Sequence, residues 1–261
     1  MDLEQKLRAD GLLKDNEVLN ELLGFEENYI IQRTDMLNFS LDSVLLANFV
    51  SLVKGIETIV DFGTGNAPIP LLLTKRTDAK IVGVEIQPEV ADMAIRTVSI
   101  NALEDQIRVI HDDLKQIPTH FETGAVDVVV SNPPFFKYEP SSNINKTEYL
   151  TIARHEVLAT LDDIVGNAAY LLNNNGYFAM VHRPDRLIDI IETFKKYKLE
   201  PKRMQLIYPK VGREAHMLLI EGRKNGRPGL RILPPFIVHE MDGSYTPEVL
   251  SYFNRVTQQN D

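Results

Sequence analysis

The chain has 261 residues, of which 44% are apolar and 25% charged, and its formal net charge is −9. This length is enough for one large domain, alone or with a small extension, and the composition is that of a folded globular protein. The absence of cysteine excludes disulfides, thiolate metal sites and cysteine nucleophiles. No apolar run is long enough to span a membrane and the N-terminus is too charged for a signal peptide, so we expect a cytoplasmic protein.

The overall negative charge conceals a basic stretch. Residues 195–231 contain eleven Lys and Arg against three Asp and Glu, a formal charge of +8, whereas residues 1–194 carry −14. A segment of that charge on one face could contact phosphates. A solvated helix end followed by a loop would have the same composition, so charge alone leaves both interpretations open.

Apolar periodicity predicts the elements in chain order. Within an N-terminal extension, residues 29–31 and 36–39 are expected to form a small hairpin. Strands are predicted at 58–61, 81–86, 107–111, 126–131, 177–182, 204–208 and 216–221, and helices at 41–53, 68–75, 88–101, 157–172 and 186–197. The almost continuous apolar run at 126–131 indicates a strand covered on both faces.

This alternation predicts an α/β fold with a doubly wound, mostly parallel sheet of seven strands. The loop between the last two strands is too short for a crossover helix, so the final strand should be antiparallel. Such a sheet resembles the Rossmann-like fold of class I S-adenosylmethionine (SAM) methyltransferases. We expect an extension at 1–38, a methyltransferase domain at 39–222 and an irregular tail at 223–261 that packs back on the domain.

The loop after the first strand of this sheet predicts a cofactor site, because ligands of doubly wound sheets bind at the carboxyl ends of the strands. Gly63 and Gly65 allow the backbone to approach a ligand closely, and Asp61 precedes them. A nicotinamide-binding fingerprint would have a third glycine where this chain has Pro68.

The next two strands also end in acidic residues. Glu85 ends the second strand, where a carboxylate can bind both ribose hydroxyls. Asp112 and Asp113 follow the third, and one of them could accept a hydrogen bond from an adenine amino group. Any one of these carboxylates could be a helix cap or a solvated side chain, but the ordered set fits SAM, whose sulfonium and amino group are positive.

The fourth strand leads into Asn132, Pro133, Pro134 and Phe135. Two consecutive prolines make a stiff, extended loop. The side-chain oxygen of Asn132 and the carbonyl of Pro133 could accept the two hydrogens of one substrate amino group, and Phe135 could stack on a planar amide or base. Asn-Pro is also a common turn former, which is the alternative for the tetrapeptide alone.

This tetrapeptide resembles the Asn/Asp-Pro-Pro-Tyr/Phe motif of amino methyltransferases, which act on adenine N6 or on a glutamine amide. Phe135 replaces the tyrosine of many members, so stacking is retained and the phenolic hydroxyl is lost. Together with residues 39–46, 153–156 and 234–240, the motif makes the chain resemble the bacterial tRNA1(Val) (adenine-37) N6-methyltransferase family. That resemblance implies a tRNA substrate, with methylation of the adenine beside the anticodon.

The resemblance also implies roles for individual residues. It places Asp61 at the SAM amino group, Gly63 and Gly65 along the methionine part, Glu85 at the ribose, Asp113 rather than Asp112 at the adenine, and Phe39 and Asp42 at the pocket wall. Arg154 is interpreted as a phosphate contact or loop anchor, and Lys202, Arg203, Lys210 and Arg213 as RNA contacts. His155 is an alternative base, although the attacking amino group needs none. We expect neither a metal nor a membrane partner, and we expect a monomer.

Three other functions remain open at the level of the sequence. A protein glutamine methyltransferase would use the same loop, but it would not need the basic stretch and usually has a separate N-terminal helical domain. A DNA adenine methyltransferase would usually need a larger target-recognition domain. A non-catalytic SAM-binding module would have no use for Asn132 and the two prolines.

Overall fold

The computed structural model describes residues 2–22, 28–33, 35, 40–133 and 159–254. The N-terminal part consists of helix α1 (Leu3–Ala9) and an antiparallel hairpin of β1 (Glu17–Glu21) and β2 (Tyr29–Arg33). The prediction of a strand at 29–31 is confirmed, but its partner strand is β1, which was not predicted because its sequence is mostly polar. Residues 36–39, the partner expected from the sequence, lie outside the described part of the chain.

The remaining elements alternate as expected and build one large sheet. In chain order they are α2 (Leu41–Phe49), β3 (Thr58–Phe62), α3 (Pro68–Thr74), β4 (Lys80–Glu85), α4 (Pro88–Ile100), β5 (Ile107–His111), α5 (Ile117–His120), β6 (Val126–Ser131), α6 (Leu161–Leu171), β7 (Leu172–His182), α7 (Leu187–Lys196), β8 (Leu199–Tyr208), β9 (Met217–Lys224), β10 (Arg231–Ile232), β11 (Phe236–Ile237) and α8 (Pro247–Asn254).

The strand order is β10-β8-β9-β7-β6-β3-β4-β5, with β11 paired to β8 as well. Strand β9 is antiparallel to both neighbours, and the other described strand pairs of this sheet are parallel. The doubly wound, mostly parallel α/β fold with an antiparallel last strand is therefore confirmed. The sheet has nine strands rather than seven because β10 and β11 add to the edge at β8.

Several boundaries differ from the prediction. Helix α2 ends at Phe49 rather than at residue 53, because Val50 adopts φ −56° and ψ 137°. Helix α6 begins at Leu161, since the Thr160 side chain accepts a hydrogen bond from the amide of Asp163 and caps it. The tail is not irregular throughout: it contributes β10, β11 and α8.

The sheet is covered on both faces, and neighbouring residues of one strand enter different cores. In β3, Ile59 packs into one hydrophobic cluster and Val60 into another. In β6, Val128 and Val129 divide in the same way. This two-sided burial explains the continuous apolar runs. Polar side chains can therefore gather at the end of the sheet that is formed by the carboxyl ends of the parallel strands. Among the helices described, none is both long and apolar enough to cross a bilayer.

The N-terminal hairpin is joined to α4 by a buried ion pair. The two guanidinium nitrogens of Arg96 each lie 2.6 Å from one carboxylate oxygen of Glu17, whose side chain is 2% exposed. Arg96 also donates to the carboxylate of Asp92 and to the carbonyl of Leu12. This bidentate contact fixes the hairpin on the outer surface of the main fold.

Candidate functional site

The loop after β3 forms a turn whose glycines face open space. Gly63 has φ +68° and Gly65 φ +59°, a left-handed conformation that favours glycine. A Cβ atom built on either would meet nothing within 4 Å. The amides of Gly63 and Thr64 both donate to the carbonyl of Val84, at 2.9 and 3.0 Å, which anchors the turn to β4. The glycine backbone is therefore held rigidly and is accessible to a ligand.

Asp61 is fully buried, and neither of its carboxylate oxygens has a hydrogen-bond partner among the described residues. The same holds for the hydroxyl of Thr64. Burial raises the pKa of Asp61 to about 8; the neighbouring Thr64 hydroxyl opposes the rise, and the negative charge of Glu85 adds to it. Because unpaired buried polar atoms are costly, three of them together at a strand end indicate a place for a polar ligand with several donors.

Glu85 lies at the end of β4 beside this loop. One carboxylate oxygen accepts from the amide of Gly65 at 3.0 Å, and the other from the amide of Gln87 at 2.9 Å. The side chain is almost fully buried, and burial raises its pKa despite these bonds. Each oxygen retains acceptor capacity for a ligand hydroxyl.

A hollow of about 270 Å³, open to solvent on one side, lies next to the same loop. Its lining residues are Gly63, Val84, Ile86, Asp112, Asp113, Leu114 and Ala159. The carboxylate of Asp112 accepts a hydrogen bond from the amide of Asp113 at 2.8 Å and is hydrogen-bonded to His120 Nε2 at 2.6 Å. The bond to His120 lowers the pKa of Asp112.

Asp113 is the less occupied of the two aspartates. One of its oxygens accepts from the amide of Lys115 at 2.9 Å, and the other lies 3.8 Å from the ammonium of the same lysine. This leaves Asp113 freer than Asp112 to accept a hydrogen bond from a ligand at the hollow.

Asn132 follows directly after β6, on the same edge of the sheet. Its amide nitrogen lies 3.4 Å from the hydroxyl of Ser43 in α2, and no described residue donates to its side-chain oxygen. Ser131 donates to the carbonyl of Phe62 at 3.0 Å, which ties the ends of β6 and β3 together. The neighbouring Pro133 is buried.

Asp42 precedes Ser43, the residue that contacts Asn132, in the first turn of α2. Burial raises its pKa, although a hydrogen bond with Ser40 and the positive charge of His216 oppose the rise. The other predicted site residues Phe39, Pro134, Phe135, Arg154 and His155 lie outside the described residues.

The basic stretch 195–231 does not form one face. Lys210 and Arg213 lie in the loop between β8 and β9, at the edge that carries Asn132. Lys224 pairs in register with Leu199 at the beginning of β8, which is the opposite edge. Topology therefore divides a run that is continuous in the sequence.

The other two predicted RNA contacts lie within β8. Lys202 donates to the carbonyl of Arg227 at 3.1 Å. Arg203 bonds to the carboxylate of Glu221 at 3.1 Å and to the carbonyl of Phe49, and its guanidinium lies 4.6 Å from the Phe49 ring centre. Arg203 thus connects α2 to the sheet.

The hairpin of β8 and β9 extends beyond the end of β6, where Asn132 lies. Ser131 at the end of β6 is in register with Met180, Met180 with Ile220, and Ile220 with Met204. Strand β8 continues four residues past that level, to Tyr208. At about 3.3 Å per residue, Tyr208 stands roughly 10 Å beyond the level of Asn132. The β8–β9 hairpin thus forms a wall at this end of the sheet, with β8 three strands away from β6.

Two residues of this site were not predicted from the sequence. Thr64 stands between the two predicted glycines, and that position was a usable signal. Ser43 contacts Asn132 only through the packing of α2 against the sheet, which no local pattern of residues indicates. In the described ranges, no group of three or more His, Asp or Glu is arranged to hold a metal ion.

Comparison with known proteins identifies relatives over most of this arrangement. The family model described as methyltransferase small domain matches residues 41–199, which include β3 to β6 and both loops. A tRNA1(Val) (adenine(37)-N6)-methyltransferase from Porphyromonas gingivalis is 31% identical over 196 residues, covering 72% of this chain and 75% of that protein. A protein of the same name from Bacteroides thetaiotaomicron is 32% identical, covering 69% of this chain and 73% of its own length.

A solved structure supports the fold independently. A predicted O-methyltransferase from Agrobacterium tumefaciens superposes with a TM-score of 0.66 and covers 82% of this chain and 96% of that one. The two sequences are 21% identical, so the likeness concerns the architecture of the sheet and its helices.

Proposed function

The chain belongs to the methyltransferase small domain family, together with relatives named tRNA1(Val) (adenine(37)-N6)-methyltransferase, and we propose that it transfers a methyl group from SAM to N6 of an adenine in tRNA. By analogy with the relatives' name, the target is adenine 37. The observation that carries the proposal is Asn132 at the end of β6, with its nitrogen turned to Ser43 and its oxygen without a donor among the described residues.

The residues present fit SAM. Asp61 and Thr64 offer buried oxygens without described partners, which suit a ligand ammonium. Roles proposed for the other residues are Gly63 and Gly65 along the methionine part, Glu85 at the ribose hydroxyls, Asp113 in preference to Asp112 at the adenine amino group, and Phe39 and Asp42 at the pocket wall.

SAM would supply the methyl group, which passes from sulfur to N6 as the C–S bond breaks and N6 releases a proton. The protein contributes alignment and acceptors. The Asn132 oxygen and the Pro133 carbonyl accept the two N6 hydrogens, which orients the nitrogen lone pair toward the methyl carbon. Pro134 stiffens the loop and Phe135 stacks on the base. Because the proton becomes acidic only after transfer, the step requires no strong base.

The adenine must leave its stack to reach a pocket at a strand end, and an unpaired loop nucleotide is the least costly to extrude. We assign the main contacts with the RNA backbone to Lys210 and Arg213, which lie in the loop between β8 and β9, at the same end of the sheet as Asn132. Lys202 and Arg203 have a lesser part because both precede Met204 in β8 and so lie below the level of Ser131, and Arg203 also bonds to Glu221. Arg154 is proposed as a phosphate contact.

We further propose that the protein works in the cytoplasm as a monomer. In this interpretation residues 39–222 form the methyltransferase domain, and residues 1–38 and 223–261 are extensions.

The test is to incubate the purified protein with radiolabelled SAM and separate pools of tRNA, rRNA, DNA and protein. Label confined to tRNA is the expected result. Label in protein and none in RNA would replace the proposal with glutamine methylation through the same loop. Binding of SAM with no transfer to any pool would indicate a non-catalytic module.

A further inference from the structure

A basic surface lies at the end of the sheet opposite Asn132, and the proposed function does not use it. Lys198 directly precedes β8, and Lys224, the last residue of β9, is in register with the first residue of β8. In the turn after β9, the amide of Asn225 donates to the carbonyl of Lys198 at 2.8 Å, and Arg227 follows two residues later. We define the amino-end surface by its four basic residues, Lys198, Arg223, Lys224 and Arg227.

Within the described ranges, these four cations have no ion pair with a carboxylate. Lys224 Nζ donates instead to the carbonyl of Ala169 at 2.7 Å, and Arg223 Nε donates to the carbonyl of Asn175 at 3.1 Å. A carbonyl group orients a cation but does not cancel its charge. The amino-end surface therefore presents net positive charge to the solvent.

The lack of counter-charges distinguishes this surface from the end of α7 beside it. Glu200 is in register with Arg223, but its carboxylate bonds to Lys195 at 2.6 Å. From residue 222 to residue 239 the chain has four basic residues and neither Asp nor Glu. Charge is thus balanced at Lys195 and unbalanced on the amino-end surface.

Two of the four cations act on each other. Burial lowers the pKa of Lys224, and the positive charge of Lys198 lowers it further. Like charges that interact in this way repel each other, and an anion bound beside both would relieve the repulsion. The pair therefore favours an anionic ligand at this end of the sheet.

Further cations connect the amino-end surface to the loop that carries Lys210 and Arg213. Lys202 lies in β8, and Arg231 lies in β10, which pairs with β8 at the edge of the sheet. Strand β8 has ten residues, Leu199–Tyr208, and at about 3.3 Å per residue it spans about 30 Å. The basic residues thus follow this edge from one end of the sheet to the other.

An arrangement of this length fits a long polyanion better than a small anion. A single phosphate contacts one part of the strip, whereas a nucleic-acid backbone presents phosphates in series. When the anticodon loop of a tRNA lies at Asn132, the rest of the molecule can run along the β8–β10 edge. Its more distant phosphates then reach the amino-end surface.

We infer that the amino-end surface binds backbone phosphates of the substrate tRNA outside its anticodon arm, as a second contact remote from the site of methylation. This inference rests on the proposed function, because it takes tRNA as the substrate. The four residues hold the RNA and take no part in methyl transfer.

The experiment compares two end-labelled RNAs with the same target adenine, an unmodified full-length tRNA and its isolated anticodon stem-loop, by fluorescence anisotropy at several salt concentrations. Lys198→Glu combined with Arg227→Glu reverses two exposed charges of the surface. This double variant should raise the Kd for the full-length tRNA at least about tenfold and reduce its salt slope by about two, because two phosphate contacts are lost. The Kd for the stem-loop should stay within about twofold.

Lys80→Glu combined with Arg108→Glu is the matched control. It also reverses one exposed lysine and one exposed arginine, but these lie in β4 and β5, at the other edge of the sheet. It should change neither Kd by more than about twofold. Thermal unfolding of both double variants checks that the fold is retained.

Equal weakening of the full-length tRNA and the stem-loop by Lys198→Glu with Arg227→Glu would overturn the inference. An unchanged Kd for the full-length tRNA, or an equal loss in the control variant, would overturn it as well. If the original protein methylated neither RNA, the proposed function itself would be wrong, which is a different failure from an altered ratio of the two affinities.

Discussion

At the scale of single residues, Asn132 should separate catalysis from cofactor binding. Asn132→Ala removes an acceptor that acts on the substrate amino group, and that group is not part of SAM. We predict a loss of transfer rate of at least about 100-fold in single-turnover assays. Affinity for S-adenosylhomocysteine should stay within about threefold, and a large loss of that affinity would contradict the assigned role.

Asp61 should impose a pH dependence on stability. The unfolded carboxyl releases its proton near the ordinary value of 3.8, whereas in the fold burial raises the pKa of Asp61 to about 8. Between these values the folded state binds more protons, so the Asp61 contribution to stability falls as pH rises from about 4 to 8 and is fully lost above it.

Asp61→Asn mimics the neutral carboxyl and removes this loss. The ligand-free variant should therefore unfold at a higher temperature than the original protein at pH 8, and the difference should shrink at pH 5. The same variant should bind S-adenosylhomocysteine more weakly at pH 8, because the amide cannot pair with an ammonium. A pH-independent difference in melting temperature would argue against the proposed origin of the effect.

The place of a residue in the candidate site could be predicted from the sequence where it depends only on the position of that residue along one strand. Asp61, Glu85 and Asn132 could be located because each stands at the end of an apolar strand. The close packing of Thr64 on Gly83 could not be predicted: a Cβ atom at residue 83 would lie 2.7 Å from the Thr64 hydroxyl, and this proximity depends on the register of β3 against β4. The contact between Ser43 and Asn132 depends on how α2 packs, which no local pattern encodes.

At the scale of elements, the N-terminal hairpin depends on one buried ion pair. Glu17→Ala would leave Arg96 without its bidentate partner, and we predict a loss of about 3 to 5 kcal/mol of unfolding free energy in urea titration. Glu4→Ala removes a partly exposed pair with Arg8 on the same extension and should cost about 0.5 kcal/mol. Similar losses in the two variants would show that the hairpin is anchored by other contacts.

The pattern of apolar residues was sufficient to predict the buried strands, but it did not predict the short or polar strands β1, β10 and β11. Strands β5 and β6 have the predicted bounds because a polar residue follows each of them, and because Gln106 precedes β5 and the turn at Gly124 precedes β6. Strand β1 was missed because it is polar, and β10 and β11 because two residues show no periodicity. The end of α2 was placed too late, since Ser51 is held outside the helix by the distant Glu221.

At the scale of the whole molecule, topology decides what the basic stretch can do. Its charge suggested one phosphate-binding face, but β8 and β9 distribute its basic residues over both ends of the sheet. Lys210 and Arg213 lie in the loop between these strands, at the same end as Asn132. The double variant Lys210→Glu and Arg213→Glu should raise KM for tRNA at least about tenfold, with kcat nearly unchanged.

The same double variant should flatten the dependence of tRNA affinity on salt, because fewer counterions are released on binding. Lys54→Glu is the control, since Lys54 is exposed in the turn before β3 at the opposite edge. Equal effects of the charge reversals at the two edges would mean that net charge, rather than this wall, governs RNA binding.

The central claim is that the methyl group is transferred to N6 of an adenine. The most direct measurement is mass spectrometry of nucleosides from unmodified tRNA incubated with SAM and either the original protein or Asn132→Ala. We predict N6-methyladenosine with the original protein and, after the same short reaction time, at least about 100-fold less with Asn132→Ala. Another methylated nucleoside in place of N6-methyladenosine, or undiminished product with Asn132→Ala, would contradict it.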